Sequence, residues 1–307
     1  MLHFILKRTA IAIPTILALI ILSFTLMHYA PGSPFAGERP LPPEILANLE
    51  AKYGLDRPFP EQMARYVWNI ITEFDFGPSY SYKDRTVNEI IAQGFPVTLA
   101  YGSLAFLVSI MVGIALGITA AIHRSTWLDS LAVGMTVGAQ VLPNFIMAPI
   151  LVLVFTLWLG WLPGGGWQGG QWPYLVMPVI ALSTSFMASI ARITRSSMIE
   201  TLNSDFILTA RSKGLPFHEV VIRHAVKPSM LPVISYLGPT FVGLITGSVV
   251  IDIYFSTGGI GQHFVNAAIN RDYPLIMGVT ILTGILTVMF NLIVDILYVW
   301  IDPRIRY

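Results

Sequence analysis

The sequence predicts an all-α integral membrane protein: about six transmembrane helices, both termini cytoplasmic, and one long helical loop outside. Three observations predict this. Hydrophobic residues make up 54% of the 307 and charged residues only 11%, against about 25% charged in soluble domains. Six apolar stretches (9–29, 98–122, 131–159, 174–194, 230–251 and 276–301) each reach the ~20 residues that cross a bilayer as a helix. Lys and Arg gather on alternate connections between them.

Each stretch reads as a helix because lipid supplies no hydrogen bonds and a helix satisfies its own backbone. No even series of alternating ten-residue segments suggests a barrel. Lys7 and Arg8 before the first stretch also suit a signal peptide. The run is long for that, and it ends in His28-Tyr29-Ala30-Pro31 with no small-x-small cleavage site, so a retained first helix (1–30) is expected. Lys7, Arg8, Arg124, Arg192, Arg195, Arg211, Lys213, Arg223, Lys227, Arg304 and Arg306 all fall on one side, which marks the cytoplasm. The connection 160–173 has neither Lys nor Arg, and the last external loop has only Arg271.

The external segment 31–97 carries nine of the 17 acids, from Glu38 to Glu89. Segments of this length translocate regardless of charge. Pro43-Glu44 opens an amphipathic set (Ile45, Leu46, Leu49, Tyr53) that Gly54 closes. Tyr66, Val67, Ile70 and Ile71 suggest a second short helix, and Val87, Ile90 and Ile91 a third. The segment is either a cap sealing the helix ends or a platform for an external partner. The remainder, 98–307, holds five spans and the polar segment 200–228.

That segment is too polar to span and too patterned for a linker. Ser204 or Asp205 suits the cap of a helix over Phe206 to Lys213, Gly214 its stop, and a second helix follows from Phe217 to Ala225. Phe206, Ile207, Ala210 and Leu215 offer apolar contacts, Arg211 and Lys213 cationic ones. Such a helix–turn–helix is either a rigid lug that passes force to a partner or an amphipathic element lying on anionic lipid.

FILTARSKGL followed by RHAVKPSMLPVI resembles the cytoplasmic loop signature of binding-protein-dependent ABC importer permeases. The motif's glycine matches Gly214 and its central alanine Ala210. Thr209 to Leu215 is similar to the dipeptide and oligopeptide branch, although Leu208 stands where the general motif is acidic. HYAPGSPFAGERPLPPE, EAKYGLDRP, DFGPSYSYKDRTVNEII, WLPGGGWQGG, ARITRSSMIE, GIGQHFVNAAINRDYP and IDPRIRY extend the resemblance over the whole chain, towards B-type subunits of oligopeptide importers. One departure is Ser256-Thr257-Gly258-Gly259, where the family usually has Gly-Leu-Pro-Gly; Gly258 in place of proline implies a more mobile loop. The resemblance implies a bacterial inner-membrane subunit that forms half of a pathway with a second homologous permease subunit. It also implies two ATPase subunits below, holding ATP and Mg, and a periplasmic peptide-binding protein above. Phe206, Thr209, Ala210, Arg211, Lys213, Gly214 and Leu215 would then be the ATPase-coupling residues.

Other classes find little support. A net charge of +1 gives no field for nucleic acid, and the absence of cysteine rules out disulfides and thiolate chemistry. There is no G-x-x-x-x-G-K-[ST] phosphate loop; Gly164-Gly165-Gly166 and Gly258-Gly259-Ile260-Gly261 read as turns. The six histidines are scattered, so neither a catalytic site nor a metal or cofactor site is expected. A secondary transporter would show an internal repeat or a midplane acid pair, and neither is evident. Asp252, ending span five outside, either lines an outer gate with Gly258 and Gly259 or reaches the interface. Asp295, in span six, suits an ion pair with Arg304 or a neighbouring helix. Gly113, Gly117, Gly134 and Gly138 suit close helix packing, and Pro143, Pro149 and Pro178 suit kinks in spans three and four.

Overall fold

The structure is a computed structural model and describes residues 2–30, 35 and 42–301. Glu38, Arg304 and Arg306, most of the run up to Pro42 and the terminal motif lie outside the described residues. Apart from one β-bridge, Pro78 to Thr86, every regular element among the described residues is helical. In chain order these are α1 (Leu2–His28), α2 (Pro43–Tyr53), α3 (Phe59–Glu73), α4 (Val87–Ile122), α5 (Trp127–Val141) and α6 (Asn144–Leu151). There follow α7 (Trp172–Leu202), α8 (Asp205–Ser212), α9 (Phe217–Glu219), α10 (Val226–Ser229), α11 (Leu231–Phe255), α12 (Ile260–Asn270) and α13 (Tyr273–Ile301). Wider π turns follow α6 (Val152–Trp158) and α9 (Val220–Ala225).

Five helices (α1, α4, α7, α11 and α13) are long and apolar enough to cross a bilayer, and α5 with α6 makes a sixth span if counted together. The two meet at 103°. The kink expected in the span over 131–159 is thus a full break between two helices. Pro143 is the cause: it supplies no N–H to continue the ladder, and its ring excludes the residue before it from the helical region. Pro178, by contrast, sits inside α7 without interrupting it, and Pro149 precedes the π turn.

The expected third external helix is also corrected. Val87, Ile90 and Ile91 are the first turns of α4, a single 36-residue helix. Thr86 and Glu89 form a reciprocal capping box: Glu89 N–H donates to Thr86 Oγ1 at 3.2 Å and Thr86 N–H to the Glu89 carboxylate at 3.1 Å. At 1.5 Å per residue α4 is about 54 Å long, so it overshoots a ~30 Å bilayer core and joins both ends of the molecule.

At one end, α2 and α3 form a cap. Both expected helices are present, α2 closing at Gly54 with φ 69°. Ile70 and Phe76 pack with Phe24 of α1, Val87 and Ile90 of α4, and Leu275 of α13 in one buried cluster. The cap is therefore bolted to three spans. At the other end, α8 and the π turn lie under α4 and α7. Asp295 of α13 pairs with Arg8 of the neighbouring α1 at 3.1 Å, while its other expected partner, Arg304, lies outside the described residues.

Small residues set the α4–α7 contact. A Cβ on Gly117 would lie 2.5 Å from the Ala191 carbonyl oxygen and from Thr194 Cβ, and one on Gly113 2.9 Å from Ile190. Gly134 and Gly138 differ: a Cβ on either meets nothing within 4 Å, so the close packing expected of them does not occur within this chain. Gly117→Val is thus expected to destabilise the subunit by about 3 kcal/mol, because the clash is with backbone and cannot relax by rotation. Gly134→Val should leave its melting temperature in detergent within about 2 °C of wild type. Thermal unfolding of the two variants side by side checks this.

Candidate functional site: the two ends of the bundle

At the α8 end, polar and apolar positions separate by face. Ile207 and Ala210 are buried with Met198, Val220, Val221 and Ala225, and Ala121 of α4 completes the cluster. Leu215 packs against its edge. Phe206, Thr209, Arg211, Lys213 and Gly214 face outward. Of the seven expected coupling residues, five are thus on the free surface, and Ala210 and Leu215 anchor the helix from behind. Leu208 of the same helix (64% exposed), and Phe217 and Ile222 (68% exposed) beyond the turn, are exposed as well and were not expected. Apolar side chains so grouped beside cations mark an interaction surface.

The turn geometry makes the element stiff. Ser204 occupies the position before α8, but its hydroxyl donates back to the Thr201 carbonyl at 2.6 Å, so the expected side-chain cap is absent. Gly214 has φ +82° and donates its N–H to the Arg211 carbonyl at 2.9 Å. Only glycine adopts that backbone without strain. The π turn then leads through α10 directly into α11, so a push on α8 reaches a span without an intervening flexible loop.

At the opposite end lies Asp252. It is fully buried. Its carboxylate accepts from Tyr101 Oη and Thr257 Oγ1, from the Gly261 N–H at 3.0 Å, and from Thr98 and Ser248 at 3.4 Å. Thr98 Oγ1 in turn accepts from the Ile260 N–H at 2.9 Å. One side chain thereby ties α4, α11 and the start of α12 together. Gly259 and Gly261 are needed for the approach: a Cβ on Gly261 would lie 2.5 Å from Val249 Cα, and one on Gly259 would overlap the Asp252 carboxylate. Gly258, with φ +74°, faces open space. On α12, burial and the Arg85 charge hold the His263 pKa below its ordinary value, which keeps the ring neutral against Tyr82.

Two further locks had no sequence signal beyond the presence of an acid. Asp129 of α5 takes a bidentate pair of bonds from Arg195 of α7, Nε at 2.7 Å and Nη2 at 2.8 Å. Asp272, fully buried before α13, accepts from Ser79 Oγ, Tyr80 N–H at 3.1 Å and Ser81 N–H at 3.2 Å, and so pins the cap loop. The partner in each case is 66 or more residues away in the chain, so no local pattern reveals it.

The chain resembles known proteins over its full length. It is 53% identical to the oligopeptide transport system permease protein OppB of Salmonella typhimurium and 52% identical to that of Escherichia coli, each over 307 residues and the whole of both chains. It is 39% identical to the dipeptide transport system permease protein DppB of Bacillus subtilis over 306 residues, covering 98% of that protein. Among solved structures, an inward-facing methionine ABC transporter, MetNI, matches with a TM-score of 0.59 at 15% identity, over 70% of this chain and 97% of that one, which supports the fold. Residues 113–307 match the family described as binding-protein-dependent transport system inner membrane component, and residues 1–102 match its N-terminal companion. The chain belongs to this family of inner-membrane permease subunits, multi-pass and without a catalytic role of its own.

Proposed function

We propose that this chain forms half of the translocation pathway of an ATP-driven importer that moves oligopeptides from the periplasm to the cytoplasm. The carrying observation is α8: a stiff helix with an exposed apolar and cationic face, anchored by Ile207 and Ala210 to the ends of two spans. A partner whose shape changes with ATP can move such a lug and with it α4, α7 and α11. On this reading the α8 end is cytoplasmic and two ATPase subunits, binding ATP and Mg, dock there. A second homologous permease completes the path, and a periplasmic peptide-binding protein docks on the α2–α3 cap. Asp252, Gly258 and Gly259 belong to the outer gate, with Asp252 as its latch. The oligopeptide assignment rests on full-length similarity to permeases named for that substrate. The cycle needs each partner to favour one state: ATP the outward-facing one, nucleotide release the inward-facing one.

The test is uptake by vesicles reconstituted with all partner subunits and the binding protein. Labelled tri- to pentapeptides are expected to accumulate only with ATP on the ATPase side. Accumulation driven by an ion gradient without ATP would overturn the assignment in favour of a secondary transporter.

A further inference from the structure

A crevice of about 160 Å³ runs between α5 and the α4–α7 pair, lined in part by Gly117, Thr136, Gln140 and Arg192. At 100° per residue, Gln140 and Thr136 share the α5 face that carries Asp129, opposite Trp127, Leu131 and Met135. The Asp129–Arg195 bonds turn that face towards α7. The same bonds fix its depth. Ser185, in contact with Asn144 at 3.4 Å, lies ten residues of α7 before Arg195, or about 15 Å. Gln140 lies about 17 Å along α5 from Asp129, near the level of Ser185. That level is also about 20 Å from Trp172, the first residue of α7, so Gln140 stands near mid-depth.

The backbone is open at the same level. Leu142 N–H bonds to Gly138, and the first bonds of α6 run from Ile146 and Met147 back to Pro143. The carbonyls of Gln140 and Val141 therefore receive no described donor at the 103° bend. Irregular backbone at mid-depth is viable only inside protein or against water, since each unpaired group in lipid costs several kcal/mol. Gln140 is exposed, and so is Arg192, which has no ion pair among the described residues.

We propose that this crevice is a water-filled arm of the translocation path, in which Gln140, Thr136 and the open carbonyls meet a peptide's main chain and Arg192 its terminal carboxylate. The inference rests on the peptide-permease reading above. An amide side chain offers two donors and an acceptor, which matches the alternating groups of any main chain, and a guanidinium fork matches a carboxylate. Most of the remaining wall, Leu116, Val133 and Val137 among it, has no hydrogen-bonding side chain, and Arg195 is taken up by Asp129, so side chains pass unread.

The chain contains no cysteine, so single cysteines report cleanly. The complete complex, reconstituted in vesicles, carries Q140C or M135C and is treated with a membrane-impermeant methanethiosulfonate; the complex without an introduced cysteine sets the baseline. Because only a hydrated thiolate reacts, Q140C is expected to react at least about tenfold faster than M135C. Saturating trialanine should slow the Q140C reaction, and its C-terminal amide should slow it less; adding R192Q should abolish that difference. A Q140C rate no faster than that of M135C overturns the water-filled arm, including where Q140C instead cross-links to the second permease. An amide difference that survives R192Q overturns the carboxylate role. Wild-type peptide uptake is measured in parallel: its failure would sink the peptide-permease reading, whereas labelling that fails while uptake persists sinks only this inference.

Discussion

Gly214→Val is expected to cut peptide uptake about tenfold or more while the ATPases continue to hydrolyse ATP. The cause is backbone conformation, not bulk. Gly214 holds φ +82° and a Cβ there meets nothing within 4 Å, so the larger side chain has room. The strain is in the dihedral: a non-glycine residue in that region costs about 1–3 kcal/mol, and a β-branched one lies at the upper end. The chain relieves this by leaving the turn, which swings α8 relative to the π turn and misaligns its outward face. Each 1.4 kcal/mol of lost docking preference is about tenfold in the coupled equilibrium. Insertion and melting temperature should change little, because the Met198–Ile207–Val220 cluster does not involve Gly214. Gly214→Asn is the informative control. Asparagine visits the left-handed region with little penalty, so it should retain most uptake. If valine transports normally, the coupling role of this turn is wrong. If asparagine fails as badly as valine, a side chain there blocks docking, and the conformational account is wrong.

Much of this architecture was legible because the governing forces are local. Apolar runs of ~20 residues have only one use in lipid, and Gly54, Gly214 and Pro43 punctuate helices by fixed dihedral preferences. What escaped depends on partners distant in sequence. Val87, Ile90 and Ile91 read as a separate short helix because the long apolar run begins only at 98, past Gly94 and Pro96. Yet Pro96 lies far enough into α4 for the capping box and the Phe76–Ile90–Leu275 packing to carry the helix through. Gly134 and Gly138 have the same spacing as Gly113 and Gly117, and only the tertiary arrangement shows that one pair touches a neighbour and the other does not. The surface proposed for coupling was half legible. The motif named the segment, but the split between Ile207 and Ala210 inward and Leu208 and Ile222 outward required the position of α4. Asp252 was visible as an acid at a membrane edge, but its five donors come from Thr98, Tyr101, Ser248, Thr257 and Gly261, on three helices and the loop between two of them.

Those five donors set the second large effect. Asp252→Ala removes the only described acceptor of the Gly261 N–H and of the Tyr101 hydroxyl, both buried. Each buried donor left without a partner costs about 1–3 kcal/mol, so a loss of about 4 kcal/mol or more is expected, a large share of the 5–15 kcal/mol that holds a typical fold together. The damage should be local first. The network is the point where α12 is held to α11, through Gly261 to Asp252, and to α4, through Ile260 to Thr98. With the carboxylate gone, α12 loses its purchase while the α4–α7 contact at Gly113 and Gly117 remains. Amide hydrogen exchange should therefore rise at 256–263 well before it rises in α7, and the melting temperature should fall by several degrees. Asp252→Asn separates a latch from a filler. It keeps one acceptor oxygen but turns an NH₂ towards donors, so it should loosen the same segment to an intermediate degree. If 256–263 exchanges no faster in Asp252→Ala than in wild type, the latch role proposed for this carboxylate is wrong. If exchange rises equally in α7 and α12, Asp252 supports the whole bundle and has no special hold on the gate.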